Sequence, residues 1–452
     1  MPKVVVVSPP FRSHAQPLAV LAAALRAAGA EAVFACAPGF EALAEEAGAG
    51  FAPLTVTRNA NTGIAETTRQ GAGEAARLAE FLEATRAGAV PALLTQARHR
   101  RADMLADPAG VRAALAGLDA RLRPDWYVVD QLSYPVTLAL HCLGLRYATF
   151  CPGHPGYIPT GPDAYFGVPA AWPRAVRPPA EELAALTAAA RGNDAAFTAL
   201  FAEEAARAAP DRPAPGRAFA LASPEAVLYN YPPLPWLPEP PKGPEALYLG
   251  HCSTAGEAAP ALPGDWRAEA DRLRAGGRHL VLVALGTFLS ARDDVLRTVV
   301  EGVLRHCPQA AVVAAAGGRT ASLADLAAPG GAGEGRLAVA PEVPQRALLP
   351  LADAMVHHGG NNSFTECLYA GVPALVLPFS SDQFAIAHDA ERAGAGVCLD
   401  PNALTPEAAG RAVAGLLAAP PAGLSALGAA VRGRGPAWAA PRLLAAMGAP
   451  RG

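Results

Sequence analysis

Two parallel α/β domains of Rossmann-like type are predicted by three observations. Short Val- and Leu-rich runs alternate with Ala-rich amphipathic stretches along the chain, the order that builds parallel sheets. The apolar runs are continuous rather than alternating, as in strands buried on both faces. A proline-rich stretch from Tyr231 to Gly250, containing PPLPWLPEPP, suits neither the interior of a sheet nor that of a helix. It parts the first series from a second that begins at about His279. A chain of 452 residues has room for two or three domains with sizeable cores.

The elements follow in order. Strands are expected at Val4 to Val7, Ala32 to Cys36, Trp126 to Val129, Leu280 to Leu285, Ala311 to Ala315, Ala354 to His357 and Ala374 to Leu377. Helices are expected at Ala15 to Ala28, Tyr134 to Cys142, Arg292 to Arg305, Asn362 to Ala370 and Phe384 to Ala393. The glycine-rich stretch Gly317 to Gly335 fits neither G-x-G-x-x-G nor G-x-x-x-x-G-K-[ST] and is read as a surface loop. Pro152 to Pro179 is irregular and carries Tyr157, Tyr165, Phe166 and Trp172; it serves equally as the wall of an apolar pocket or as surface packing.

Composition removes several function classes. Hydrophobic residues at 52% and charged residues at 17% describe a packed globular chain. Lys+Arg 37 against Asp+Glu 40 leaves a formal charge of -3 and no electrostatic basis for binding nucleic acid. No apolar run approaches the roughly 18 residues of a membrane span, and Met1 to Val7 is too short for a secretory signal, so a cytoplasmic protein is expected. The seven cysteines are scattered without a C-x-x-C, which points to free buried thiols. H-E-x-x-H and G-x-S-x-G are both absent.

The segment richest in chemistry is His358-Gly-Gly-Asn-Asn-Ser-Phe-Thr-Glu366, between a strand and a helix. Gly359 and Gly360 allow close approach of a ligand to the backbone, and the free N–H groups of a helix start, with Asn362 and Ser363, can donate to phosphate oxygens. Glu366, one turn on, is placed to accept from vicinal hydroxyls. Taken alone, the same residues also fit a capped helix after a tight turn.

The block from Pro344-Gln345 through His358-Gly-Gly-Asn-Asn-Ser, Glu366, Ala370-Gly-Val-Pro373 and Pro378 to Asp382-Gln383 resembles the nucleotide-sugar signature of the family 1 glycosyltransferases of the GT-B fold, in the bacterial natural-product and macrolide-type branch. The resemblance implies that Gln345, His358, Gly360, Asn362, Ser363 and Glu366 hold the nucleoside diphosphate and that Asp382 and Gln383 hold the sugar. Leu285-Gly-Thr287 resembles the family's phosphate-contacting turn, which adds Thr287. In the first half, Ser13-His14-Ala-Gln-Pro17 resembles the loop that carries the catalytic His, with Ser13 where the family usually has Gly. Pro124 to Asp130 resembles the segment whose Asp pairs with that His, so His14 and Asp130 are the implied catalytic pair. One departure stands out: Glu342 occupies the position where an aromatic commonly stacks on the donor base.

These resemblances imply an acceptor domain over 1–240, a donor domain over 241–452, and a helix over 438–447 that crosses back. The implied reaction is inverting and needs no metal and no cofactor; it moves a hexose or deoxyhexose from UDP- or dTDP-sugar to a small natural-product acceptor. Neither the acceptor, the sugar nor the oligomeric state is legible. The acceptor pocket is expected within Thr55 to Arg101 and Pro152 to Trp172. A nucleotide-sugar epimerase of the same fold and a non-catalytic partner protein are the alternatives. A nicotinamide-dependent oxidoreductase is disfavoured by the missing G-x-G-x-x-G.

Overall fold

The computed structural model describes residues 1–56, 72–103, 105–253, 261–286 and 289–448. Its first sheet has strands β1 (Lys3–Val7), β2 (Glu31–Cys36), β3 (Gly50–Pro53), β4 (Trp126–Asp130), β5 (Tyr147–Cys151), β6 (Ala226–Tyr229) and β7 (Glu245–Tyr248), in the order β3-β2-β1-β4-β5-β6-β7. The second has β8 (His279–Ala284), β9 (Ala310–Ala315), β10 (Leu337–Ala340), β11 (Ala354–His357), β12 (Ala374–Val376) and β13 (Gly396–Cys398), in the order β10-β9-β8-β11-β12-β13. Every pairing is parallel.

Burial explains why the strands read as continuous apolar runs. Val4 and Val6 face one side with Ala15, Leu18 and Phe34, whereas Val5 and Val7 face the other with Leu115 and Val136. Helices cover both sides, so both faces of β1 are filled by apolar side chains. All seven cysteines are free and buried.

Two expectations are corrected. The stretch Tyr231 to Gly250 was expected to hold no strand, yet β7 lies inside it and extends the first sheet past residue 240. The prolines end at Pro244, and the proline-free Glu245–Tyr248 pairs with β6 alone at the sheet edge, where one side needs no partner. Gly317 to Gly335 is not simply a loop: Gly317–Leu323 forms a 3-10 stretch and Ala324–Ala327 one helical turn. Its glycines serve close packing, since the Gly333 N–H donates to the Leu326 carbonyl at 2.8 Å and a side chain there would strike Leu337. The helix Pro436–Met447 packs against Arg12–Ala27, burying Ala439, Ala440 and Leu443 in the first domain's core.

The two halves are fastened together across a wide seam. Leu82, on the amino-terminal helix Ala72–Ala87, joins the second domain's core, and the Arg292 guanidinium and the Asn402 amide donate to the Thr85 carbonyl at 3.2 and 2.9 Å. At a second point Asp389, on the helix Gln383–Arg392, is buried among donors from the first half. The Tyr231 hydroxyl donates to its Oδ2 at 2.8 Å, the Trp236 indole to its Oδ1 at 2.8 Å, and His154 Nε2 lies 3.2 Å from Oδ2. His154 Nδ1 accepts the Gly156 N–H, which leaves the ring proton on Nε2, directed at Asp389.

Replacing Asp389 by Ala strands three donors, of which those of Tyr231 and His154 are buried. Asp389→Ala should lower the free energy of unfolding by about 3 kcal/mol or more, and Asp389→Asn, which keeps a carbonyl acceptor, by less. Urea denaturation of the two variants measures the difference.

Candidate active site

Each sheet reverses its direction of growth once, between β1 and β4 in the first and between β8 and β11 in the second. Loops leaving the carboxyl ends of two such strands diverge to opposite faces and open a crevice there. The two crevices face each other: the Asn362 amide, after β11, donates to the Ser13 carbonyl, after β1, at 2.9 Å.

His14 sits in the first turn of the helix Arg12–Ala27, and Asp130 ends β4. Val7 pairs with Val129, so the two residues leave neighbouring strand ends. The imidazole Nδ1 is 2.9 Å from Asp130 Oδ2, and Asp130 Oδ1 accepts the Leu132 N–H at 2.9 Å. Asp130 is 0% exposed and the His14 ring 21%, so the carboxyl is enclosed while the ring reaches the cleft. Burial pulls the imidazole pKa down, but the charge and hydrogen bond of Asp130 outweigh it and the net shift is upward; Asp382 adds to the rise from the opposite domain. With Nδ1–H given to Asp130, Nε2 is the atom that accepts a proton.

Across the cleft the helix Asn361–Ala370 starts after Gly360, which is in extended conformation. His358 is wedged between two glycines. Gly286 has φ +77°, and a Cβ there would lie 2.5 Å from His358 Cε1; a Cβ on Gly360 would strike Nε2. His358 Nδ1 is buried without a hydrogen-bond partner among the described residues, and burial drives the ring pKa down to about 4. The ring is therefore neutral near pH 7 and keeps one N–H to donate.

Gln345, Ser363 and Glu366 form one cluster, with the Gln345 amide donating to Ser363 Oγ at 3.2 Å and to Glu366 Oε2 at 2.7 Å. Burial raises the Glu366 pKa to about 7, against the opposing pull of Gln345 and Arg346. A recess beside it is lined by Gln16, Pro17, Ser253, Arg346, Asn362 and Thr365, residues of both domains.

Three more of the sequence-derived site residues are occupied by protein partners. Asn362 bridges Ser13 and Asn230; Asp382 Oδ2 accepts the His154 N–H at 2.9 Å; Gln383 Oε1 accepts the N–H groups of Phe379 and Ser380. Thr287 lies outside the described residues, as does much of the expected acceptor stretch, 57–71. Sequence reasoning missed Asn361, whose amide donates to the carbonyls of Pro152 and Asn230 at 2.9 and 2.7 Å, and also Gln96, whose Oε1 accepts the Ser381 N–H at 3.0 Å; Tyr157, read as pocket wall or surface packing, meets Ser381 Oγ at 2.6 Å. The Asn361-Asn362 doublet was visible; which of the two faces the seam depends on the helix phase.

Residues 333–432 match the family described as "Erythromycin biosynthesis protein CIII-like, C-terminal domain". A sterol 3-beta-glucosyltransferase of Aspergillus terreus is 32% identical over 180 residues, 38% of this chain but only 12% of that protein's own length. Among solved structures, the glycotransferase of kitacinnamycin superposes with a TM-score of 0.67 at 23% identity, covering 99% of this chain and 100% of that one. The glycosyltransferase VinC in complex with DTDP gives 0.65 at 21%, covering 98% and 99%. The fold is GT-B. As the sequence motifs imply, the chain is similar to the natural-product glycosyltransferases of that fold.

The Glu366 shift has a consequence for stability. A carboxyl held at about 7 in the folded chain against an ordinary 4.5 costs stability as pH rises between those values, because the folded state must give up a proton that the unfolded state has already lost. Glu366→Gln removes that cost, so the variant should gain thermal stability relative to the unsubstituted protein on going from about pH 5 to about pH 8. A difference in melting temperature that does not change with pH would mean that the carboxyl is solvated.

Proposed function

We propose that the protein is an inverting glycosyltransferase that moves a hexose or deoxyhexose from a UDP- or dTDP-sugar to a hydroxyl of a small natural-product acceptor. The observation that carries this reading is the facing of His14–Asp130 and the Asn361 helix start across one cleft. The VinC structure with DTDP and the sterol glucosyltransferase similarity support the donor and acceptor classes.

In this reading the acceptor hydroxyl gives its proton to His14 Nε2 as its oxygen attacks the anomeric carbon. Asp130 stabilises the imidazolium that forms. The bond from the anomeric carbon to the diphosphate oxygen breaks on the opposite face, so configuration inverts. The departing charge meets the N–H groups of the Asn361 helix start, the neutral His358 ring and Ser363. Glu366 takes the ribose hydroxyls, and Asp382 and Gln383 take the sugar. This reading needs no metal, since neutral donors and a helix dipole would meet the leaving group.

The two halves of the site should separate by mutation. His358→Ala should weaken UDP or dTDP binding by about 1 to 3 kcal/mol, the loss of a hydrogen bond to a charged group. His14→Ala should leave that affinity nearly intact and cut transfer to an aliphatic hydroxyl by roughly a hundred- to ten-thousand-fold. Calorimetry and single-turnover transfer read the two effects; a His14→Ala protein with native turnover would move the base elsewhere. Turnover of nucleotide sugar without acceptor would favour an epimerase.

Transfer should survive excess EDTA. Activity lost on chelation and restored by magnesium or manganese would place a cation at the diphosphate.

A further inference from the structure

Among the described residues only three other than glycine have positive φ. Two of them, Asp107 and Arg123, flank a single helix, Pro108–Leu122. The third is Ser381, at φ +55°, next to Asp382. It is the first central residue of a turn closed by the Gln383 N–H, which donates to the Ser380 carbonyl at 3.2 Å. Asp382 follows at φ −77° and ψ −5°. A positive φ followed by that pair of angles is the pattern of a type II′ turn, whose first central position ordinarily holds Gly. A serine there is strained, and it persists only where its surroundings hold it.

Part of the hold comes from the turn's own segment, since Gln383 Oε1 accepts the N–H groups of Phe379 and Ser380. The rest comes from the other domain. Gln96, on the helix Ala89–Asp103, accepts the Ser381 N–H through its Oε1 at 3.0 Å, and the Tyr157 hydroxyl meets Ser381 Oγ at 2.6 Å. The His154 N–H donates to Asp382 Oδ2 at 2.9 Å, and a Cβ on Gly153 would strike that oxygen.

These contacts act on different atoms. His154 engages the carboxylate and Tyr157 the serine side chain, both from the segment after β5. Gln96 alone engages the Ser381 N–H. That N–H belongs to the peptide plane whose rotation about the N–Cα bond sets the Ser381 φ, so its acceptor fixes the strained angle. Without the acceptor the plane is free to rotate, φ relaxes to a negative value, and the carboxylate of the next residue turns with it. Asp382 is half-buried and acts on the charge of His14 across the cleft, so its direction matters at the reacting end of the site.

We propose that Gln96 is a positioning residue for the donor sugar: by holding Ser381 at positive φ it aims the Asp382 carboxylate at the sugar hydroxyls. The sugar-side wall of the donor site is then built jointly by the two domains, and Gln96 bears on which sugar is accepted. This deepens the glycosyltransferase reading and rests on it for the role of Asp382. The nucleoside diphosphate, which that reading gives to His358, Ser363 and Glu366, is left untouched by Gln96.

Calorimetry separates the two parts of the donor. The full-length protein and Gln96→Ala are titrated with UDP, with dTDP, and with whichever UDP- or dTDP-hexose of a panel the unsubstituted protein binds most tightly. Gln96→Ala should hold the bare nucleotide within about twofold and bind the sugar nucleotide about three- to tenfold more weakly, the range for one lost hydrogen bond. Two backgrounds tell positioning from simple fastening of the domains. With Asp382→Ala the carboxylate to be aimed is gone, and with Ser381→Gly a positive φ carries no strain. In either one, adding Gln96→Ala should change sugar-nucleotide affinity by less than about twofold. The same loss in all three backgrounds would overturn the proposal, and so would an equal loss of bare nucleotide and sugar nucleotide. Gln96→Met, which keeps the length and the helix propensity, repeats the series if the Ala variant does not fold. Should the unsubstituted protein bind no nucleotide at all, the glycosyltransferase reading fails and this proposal with it; nucleotide binding without a sugar-specific loss in Gln96→Ala overturns this proposal alone.

Discussion

The structure depends on one constraint: two parallel sheets must present their reversal points to each other. A parallel sheet opens its crevice where strand order reverses, and a single crevice offers only one wall. Here the opposing wall is the other sheet's crevice, and the register between them is set by neighbouring amides. Asn361 spends both of its N–H donors on amino-domain carbonyls, and Asn362 reaches the Ser13 carbonyl. A buried amide that satisfies two carbonyls tolerates little displacement, because sliding the domains would strand all three groups. The helix start that would meet a diphosphate is thereby aimed at the loop that carries His14.

Within that cleft, environment assigns different work to chemically identical side chains. His14 and His358 are both drawn from water, and burial alone would make both weak bases. Asp130 reverses the outcome for His14, while His358, with no carboxylate beside it, stays neutral with a pKa near 4. Separation of two like groups in opposite directions yields one proton acceptor and one uncharged donor. Glu366 is a third case, held near 7 by burial although the Gln345 amide and Arg346 oppose the shift. Ribose hydroxyls donating to it would favour the ionised form, so a nucleotide would supply what the fold withholds.

Much of this was legible in the sequence. Continuous apolar runs gave the central strands, since burial on both faces leaves a pattern in composition alone. Some of the strands that stayed hidden are short, such as Gly396–Cys398, or lie beside signals that argue against a strand, such as β7 after its proline run. His14, Asp130 and the His358 segment stood out because local motifs at strand ends carry them. Asn361, His154 and Asp389 did not, because their function is to meet residues more than a hundred positions away, and no spacing in one sequence records such a meeting.

The segment after β5 shows how an irregular stretch can serve domain docking in this molecule. From the sequence, Pro152 to Pro179 suited a pocket wall and surface packing equally. The structure uses it for attachment. His154 reaches Asp382 and Asp389, Tyr157 meets Ser381, Trp172 packs on Phe384 with centroids 4.8 Å apart, and the Arg174 N–H donates to Glu391. The same segment sends Phe166 into the buried aromatic cluster of Tyr134, Phe197 and Phe219. A substitution that disturbs that cluster through this segment therefore also loads the contacts that hold Asp382 in place.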